Sequence, residues 1–285
     1  MGKEIVRVEC VKHRYPDKTE VNICGLTFTL SQGERVVILG PNGSGKTTLL
    51  AHLMGVLEPL EGKVSLFGLN PKQKFNEIRA RIGVVFQNVE EQIIGPTVWD
   101  DIALGPLNSG LSKAEVDNMV TEIMAELGIE ALADKIPHYL SGGEKRKVAL
   151  AGAMVMKPEL LILDEPFNGL DPQSKQEMVE LLCGFNQKFG TALVITTHEM
   201  ELVHKLAQTI YILHKGALIA RGKPEEILTQ RSLLKEANLC TPVLLDLYEE
   251  LQKLGVDLEP QLDPAKAALE IHKKLNRTKL EKVVG

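Results

Sequence analysis

Hydrophobic and polar positions follow two alternating patterns along this chain. Short apolar runs of strand length occur at residues 5–8, 35–39, 64–67, 83–86 and 193–197. From about residue 88 to residue 158 the pattern is instead that of helices, and from 159 to 222 strand-like and helix-like stretches alternate again. Apolar runs of four to eight residues are typical of buried strands, and longer periodic stretches are typical of helices. The chain is therefore predicted to be an α/β protein.

Local signals define individual elements of this fold. Ser112 and Glu115 form a capping-box sequence at the start of a helix that is predicted to run to Leu127 and to end at Gly128. Two apolar runs on either side of Lys215-Gly216 predict a β-hairpin. Together the patterns predict a parallel-sheet core, an antiparallel β subdomain and an inserted helical subdomain at about residues 88–158.

The last part of the chain is predicted to be a helical extension. We divide the chain into residues 1–230, the main domain, and residues 231–285, the extension. In the extension, apolar residues recur at spacings of three and four, which predicts a helix with one narrow apolar stripe: Leu244, Leu247, Leu251 and Leu254. Two interpretations stay open, namely packing on this chain and contact with a second subunit.

One glycine-rich segment has the pattern of a phosphate-binding loop. Its backbone N–H groups can turn inward on a phosphate, and the helix that follows adds its positive end. The lysine can reach the β- and γ-phosphates of a nucleotide, and the hydroxyl after it can bind Mg²⁺. The predicted ATP-binding residues here are Gly40, Pro41, Asn42, Gly43, Ser44, Gly45, Lys46, Thr47 and Thr48. The segment alone leaves kinases, GTPases and ATPases open.

Two further segments carry chemistry that fits a nucleotide. An apolar strand ends in Asp164, which suits Mg²⁺, and Glu165, which suits a general base beside a metal-bound γ-phosphate. Between this pair and the loop, Ser141, Gly142 and Gly143 precede a helix rich in small residues. We interpret them as a second phosphate-binding helix start.

Over about its first 230 residues the chain resembles the ATP-binding subunits of ABC transporters. Tyr15 matches the aromatic residue on which adenine stacks, Gln87 the Q-loop glutamine, and residues 141–144 the signature. Asp164 and Glu165 match the Walker B pair, residues 168–171 the D-loop, and His198 the switch histidine. The resemblance implies ATP and Mg²⁺ as ligands, with Glu165, His198 and Gln87 in catalysis and with Thr47, Gln87 and Asp164 at the metal. It also implies a site completed by a second ATPase subunit.

Some of these matches have alternatives or depart from the family. Tyr15 could be an ordinary aromatic at a strand end. A zinc-protease interpretation of His198 fails because Leu202 stands where a second histidine is needed. The signature ends in Glu144, whereas glutamine is commoner in the family; we expect activity to survive with an altered affinity for ATP.

The segment that follows Gln87 resembles energy-coupling-factor importers, and most of all their cobalt and nickel group. The similarity lies in residues 85–94, 96–98 and 105–111. It implies a membrane coupling protein and a substrate-capture protein as partners, with this chain on the cytoplasmic face of the membrane. Glu90 and Glu91 could meet cationic side chains, or they could form a solvated surface. A vitamin importer and other ABC transporters stay open as alternatives.

Composition bears on the partners and on the compartment of this protein. The net charge of −5 argues against nucleic acid as a partner. The four cysteines are far apart in sequence, so we expect buried thiols in a reducing compartment: Cys10, Cys24, Cys183 and Cys240. No signal peptide is evident, and no apolar run approaches the roughly 20 residues of a membrane helix, so we expect any transport pore to belong to another chain.

ABC proteins that act in translation or DNA repair, without a membrane partner, would use the same ATP site. They usually carry two cassettes in one chain or a long inserted coiled coil, and the sequence has neither pattern. A phosphate-loop kinase would not account for residues 141–143.

Overall fold

The structure, a computed structural model, describes residues 2–284, with side chains described up to residue 274. The two end residues of the predicted domains, 1 and 285, lie outside the described residues. The strands of the described part are β1 (Glu4–Arg14), β2 (Glu20–Gly25), β3 (Phe28–Ser31), β4 (Arg35–Leu39), β5 (Glu61–Leu66), β6 (Ile82–Val85), β7 (Leu160–Asp164), β8 (Ala192–Thr197), β9 (Thr209–His214) and β10 (Ala217–Gly222).

Helices follow most of these strands. They are α1 (Lys46–Leu53), α2 (Phe75–Ile78), α3 (Val98–Asn108), α4 (Lys113–Leu127), α5 (Gly142–Met154), α6 (Pro172–Phe189), α7 (Met200–Leu206), α8 (Pro224–Leu228), α9 (Arg231–Glu236), α10 (Val243–Lys253) and α11 (Pro264–Val284). Within the described part of the chain, none of them is both long and apolar enough to span a bilayer.

A single sheet joins a parallel and an antiparallel part. Its order is β3-β1-β2-β10-β9-β4-β8-β7-β6, with β5 paired to β1 beside this path. The strands from β9 to β6 pair in parallel, whereas β1 pairs antiparallel with β2, β3 and β5. The predicted parallel core and antiparallel subdomain are confirmed, and so is the β9–β10 hairpin. The strand β10 also pairs in parallel with β2, which connects the two parts.

The central strands are apolar along their whole length because both faces are buried. Successive side chains of a strand point to opposite faces. In β4, Val36 and Ile38 pack in the core that includes α1, whereas Val37 and Leu39 pack in the core that includes α5 and α6. The sheet therefore separates two hydrophobic cores, and the parallel strands are fixed from both sides.

The inserted subdomain contains α3, α4 and α5. Ser112 and Glu115 form the predicted capping box of α4, and the predicted end at Gly128 is confirmed, with the left-handed φ of 62° that favours glycine. Val116, Val120 and Ile123 bury the inner face of this helix. The subdomain packs on the same core as β7 and β8, so it is not separated from the sheet.

The extension packs on the main core through its first helix. Leu234 and Ala237 are fully buried among residues of the main domain. In α10 the buried residues are Leu245 and Tyr248, whereas Leu247 is 45% exposed and Leu254, which follows the helix, is 80% exposed. The predicted helix is therefore confirmed, but this chain covers a different face of it from the predicted stripe.

The expectation that no cysteines pair is wrong. Cys10 and Cys24 form a disulfide, with a Cα–Cα distance of 4.0 Å. The antiparallel register of β1 and β2 pairs Val11 with Ile23, and it places the two cysteines at neighbouring positions of the ladder. Nor are all four cysteines buried, since Cys10 and Cys240 are exposed.

Candidate active site

The candidate residues lie at the carboxyl ends of adjacent parallel strands. The glycine-rich loop follows β4, Gln87 follows β6, Glu165 follows β7 and His198 follows β8. In an open α/β sheet, this edge is where ligands bind. Four segments that are far apart in sequence thus converge on one region of the molecule.

The loop before α1 has a backbone that requires glycine. Gly43 and Gly45 have φ values of 77° and 107°, in the left-handed region where a Cβ atom is unfavourable. A Cβ atom on Gly40 would lie 2.3 Å from the carbonyl oxygen of Leu213 and 2.6 Å from Ser44 Oγ. The loop therefore curls tightly against β9 before the helix begins.

Lys46 lies along the inside of this loop. Its Nζ atom donates a hydrogen bond to the Gly40 carbonyl at 2.7 Å and lies 3.4 Å from Glu165 Oε1. Both side chains of this ion pair are almost completely buried. This buried ion pair keeps the charged ends of Lys46 and Glu165 next to each other in the site.

Asp164 and Thr47 provide adjacent oxygen atoms. The Thr47 hydroxyl donates to Asp164 Oδ2 at 3.0 Å, and the Thr196 hydroxyl donates to Asp164 Oδ1 at 2.5 Å. Carboxylate, hydroxyl and amide oxygens suit Mg²⁺, which usually retains water and phosphate ligands besides one or two protein groups. The donors on this wall fit that ion. Among the described residues there is no cluster of three or more His, Cys, Asp and Glu that could form an all-protein cage.

Glu165 is buried and has a strained backbone. It is 5% exposed, and its φ of 47° is in the left-handed region, which costs a non-glycine residue about 1–3 kcal/mol. Its N–H donates to both the carbonyl and the hydroxyl of Thr196, at 3.1 Å and 3.0 Å. Such strain persists where neighbours over-determine the conformation, and it is a frequent feature of functional positions.

His198 contacts the other oxygen of the same carboxylate. Its Nδ1 atom lies 2.8 Å from Glu165 Oε2. This distance allows a hydrogen bond, in which an Nδ1–H group would donate to the carboxylate oxygen. The His198 side chain is about half exposed, and its second ring nitrogen, Nε2, takes no part in this contact.

Gln87 and Tyr15 complete this region. Gln87 is exposed and lines a cavity of about 440 Å³ together with the glycine-rich loop, Asp164 and Glu165. Tyr15 lies beside α1, where its hydroxyl is 2.9 Å from the hydroxyl of Thr48. Tyr15 thus lies beside the start of α1, but it does not line this cavity.

Ser141, Gly142 and Gly143 lie elsewhere. They form the start of α5, and the Ser141 N–H and hydroxyl both donate to the Glu144 carboxylate, at 2.8 Å and 2.9 Å. These hydrogen bonds hold the pKa of Glu144 below its usual range. Ser141 and Gly143 line a separate cavity of about 270 Å³, which shares none of its lining residues with the first. The fold of one chain therefore does not bring the two candidate phosphate-binding segments together.

Two residues with a structural connection to this region were missed from the sequence. Gln92 accepts a hydrogen bond from the Phe86 N–H and donates one to the Val84 carbonyl, both at 2.9 Å, so its amide pairs with the edge strand β6 just before Gln87. Arg146 in α5 donates to the Glu165 carbonyl at 3.1 Å. Neither contact is visible in the sequence, where Arg146 stands between Lys145 and Lys147 in a run of charged residues.

The comparisons with known proteins agree with this architecture. The model of the ABC transporter family matches residues 23–168. A protein of Methanocaldococcus jannaschii named energy-coupling factor transporter ATP-binding protein EcfA is 41% identical over 252 residues, which cover 87% of this chain and 90% of that protein.

Solved structures show the same similarity. The structure of cbiO1 from Clostridium perfringens, described as part of the ABC transporter complex cbiONQ, has a TM-score of 0.75 and 33% identity, and the match covers 87% of this chain and 99% of that one. A dimeric ATP-binding cassette in a post-hydrolysis state with ADP and Pi, MJ0796, matches with a TM-score of 0.70 and 26% identity over 77% of this chain and 99% of that one.

The fold and these matches define a P-loop ATPase of the ATP-binding cassette class. The chain belongs to the ABC transporter family, as an ATP-binding subunit of the type that includes the energy-coupling-factor ATPases.

Proposed function

We propose that this chain hydrolyses ATP to power an importer of the energy-coupling-factor type, at the cytoplasmic face of the membrane. The observation that carries the proposal is the convergence of Lys46, Asp164, Glu165 and His198 at one sheet edge, while Ser141 and Gly143 line a separate cavity. An ATPase whose site is shared by two chains accounts for both facts. Co-purification with integral membrane chains, followed by ATP-dependent uptake in vesicles, tests this function; recovery with ribosomes or DNA instead would contradict it.

We propose the following roles for individual residues, on their resemblance to the family and on their positions. Tyr15 stacks on adenine, and the backbone N–H groups of residues 40–48 bind the phosphates. Lys46 exchanges its contact with Glu165 for the β- and γ-phosphates. Glu165 accepts a proton from the attacking water, and His198 contacts the γ-phosphate.

Thr47, Gln87 and Asp164 would hold Mg²⁺. When bound, this ion neutralises charge on the phosphates. The hydrogen bond from Thr196 fixes one oxygen of Asp164 and leaves the other directed at Thr47. Gln87 lines the same cavity and follows the edge strand β6. A shift of its loop would therefore change the ligands around the nucleotide.

The second phosphate-binding segment would act on the nucleotide of a second ATPase subunit. Ser141, Gly142 and Gly143 present a hydroxyl and backbone N–H groups at the start of α5, a helix of 13 residues. Such a helix start attracts phosphate. The Glu144 carboxylate accepts the hydroxyl hydrogen bond of Ser141 and adds negative charge at the same end. The charge of Glu144 therefore opposes the phosphate binding that residues 141–143 favour.

Glu144→Gln is expected to lower the KM for ATP about two- to fivefold, the effect of one charge near a helix start. Glutamine can retain the capping box, so α5 should keep its start. Because the pKa of Glu144 is lowered, its carboxylate is charged at neutral pH and the difference should be constant between about pH 6 and pH 8. Steady-state ATPase assays over this range measure it; an equal or higher KM for the variant would contradict this role.

The second ATPase subunit is also proposed to contact the exposed face of α10. Leu247 and Leu254 lie on this face, and the helix is held from within by Leu245 and Tyr248. Arg231 fixes the helix further, because it donates to the Leu245 carbonyl at 2.5 Å and pairs with Asp246 at 2.9 Å and with Glu249. The apolar face is thus rigid and available to another chain.

Leu247→Asp combined with Leu254→Asp is expected to shift the nucleotide-free protein from dimer to monomer. Two carboxylates would have to be buried in an apolar interface, which is strongly unfavourable. Sedimentation velocity of the purified chain measures the shift. Truncation after Arg231 is a less specific test, because it removes the buried Leu234 and Ala237.

Leu60→Asp is the matched control for this pair, since Leu60 is an exposed leucine before β5. It should leave the association state unchanged. A double variant that stays dimeric while it folds normally would show that this face does not hold the subunits together.

We propose cobalt or nickel as the cargo, on the resemblance of residues 85–94, 96–98 and 105–111 and on the similarity to cbiO1, described as part of the cbiONQ complex. Uptake assays with Co²⁺, Ni²⁺ and vitamins on the assembled complex separate this group from vitamin importers.

A further inference from the structure

Arg146 is a buried cation without an acidic partner. It is 7% exposed, and its hydrogen bond joins Nη1 to the Glu165 carbonyl at 3.1 Å, whereas its buried Nε has no partner. Burial lowers the pKa of this arginine. Among the described residues, no carboxylate lies within ion-pair distance of the guanidinium. Buried charges are normally paired, because removal from water is costly.

The contact of Arg146 is with the strained residue of the site. The Glu165 carbonyl accepts hydrogen bonds from Arg146 and from the Asn168 N–H, which is 3.2 Å away. On the other side of the residue, the Glu165 N–H is held by Thr196. The peptide groups on both sides of Glu165 are therefore held by hydrogen bonds. Because they fix the backbone of this residue, they also fix the direction in which its side chain leaves the backbone.

Arg146 also lies close to the start of α5. Four residues, about one helical turn, separate it from Gly142, the first residue of this helix. An α-helix is stiff over so short a distance, so a displacement of its start would be transmitted to the guanidinium. The guanidinium in turn donates to the Glu165 carbonyl, so the displacement would reach the backbone of Glu165.

We propose that Arg146 is a positioning residue, which sets the backbone geometry of Glu165 and connects it to the start of α5 in the same chain. The proposal rests on the function proposed above for Glu165. It adds a physical link between the two sites of a dimer. When the start of α5 engages the nucleotide of the second subunit, Arg146 adjusts the carboxylate that acts in its own site.

Arg146→Met tests this role, because methionine retains an unbranched apolar stem and removes the charge and the donor. We expect kcat for ATP hydrolysis to fall at least tenfold, with the KM for ATP within twofold of its original value. The melting temperature should stay the same or rise, since replacement of a buried unpaired charge by an apolar side chain is often stabilising. Arg146→Lys, which retains a donor, should recover part of kcat.

Arg81→Met is the matched control, because Arg81 forms two hydrogen bonds with Glu159, at 2.6 Å and 3.1 Å. This variant should lower the melting temperature and leave kcat unchanged, the opposite of the pattern for Arg146. An unchanged kcat in Arg146→Met, or a kcat that falls together with the melting temperature, would overturn the proposal. Glu165→Gln is assayed in parallel to separate the role of Glu165 as general base from the positioning role of Arg146. Near-normal turnover by Glu165→Gln would reject the role of Glu165 itself.

Discussion

Glu165→Gln is expected to reduce ATP hydrolysis by about 100- to 10,000-fold, the usual contribution of a positioned general base. Glutamine keeps the size of the side chain and can still accept a hydrogen bond from His198, but it cannot take a proton from water. ATP binding should persist, so the variant should accumulate as a nucleotide-bound dimer. Hydrolysis assays, together with size-exclusion chromatography in ATP, measure both effects.

Lys46→Ala distinguishes loss of chemistry from loss of binding. The lysine lies 3.4 Å from Glu165 Oε1 and 2.7 Å from the Gly40 carbonyl, where it would face the β- and γ-phosphates. Its removal should weaken ATP binding itself and leave no nucleotide-bound dimer. Near-normal turnover by Glu165→Gln, or a dimer that forms equally well with Lys46→Ala, would reject these roles.

The parts of the fold that local chemistry determines were predictable from the sequence. Ser112 and Glu115 specify the start of α4, and the apolar run at residues 35–39 coincides with β4. The pairing of Cys10 with Cys24 was not predictable, because it depends on the register of β1 against β2. Spacing along the chain carries no information on that register.

The same distinction holds for the site. The glycine-rich loop is a local pattern, and strand ends place Asp164 and Glu165 near it. Contacts between distant segments, such as Gln92 with β6 or Arg146 with Glu165, arise only when the chain is folded. The sequence predicted α10 correctly as a helix. Which of its faces is buried was not predictable, because that depends on contacts of the folded chain, such as that of Arg231 with Leu245.

The surface near Gln87 is where we expect the membrane partner to bind. A groove of about 370 Å³ lies between the loop after β6 and the segment before α5, and its lining includes Glu90, Ile94, Ile136 and Lys145. Ile94 is 76% exposed at its rim. The Glu90 side chain is 66% exposed and pairs with Lys145 at 2.5 Å, and the exposed Glu91 carboxylate accepts a hydrogen bond from the Asn88 side chain at 2.7 Å.

Glu90→Arg combined with Glu91→Arg is expected to weaken assembly with the membrane component and to abolish uptake. A partner helix that carries arginine would meet two repelling charges in place of two charge-assisted hydrogen bonds. ATP binding by the isolated chain should stay nearly intact, because neither carboxylate lines the cavity at the glycine-rich loop. Co-purification with the membrane chains, ATP binding and uptake are the three measurements.

The ion pair with Lys145 provides a sharper version of this experiment. Glu90→Arg combined with Lys145→Glu restores an ion pair within the chain but reverses the charge that residue 90 presents to a partner. If the partner recognises the negative charge, this exchanged pair should still fail to assemble, although it folds and binds ATP. If assembly and uptake return, the ion pair serves only the structure of this chain. The contact with the membrane component must then be sought at the neighbouring apolar residues Ile93, Ile94 and Trp99 instead.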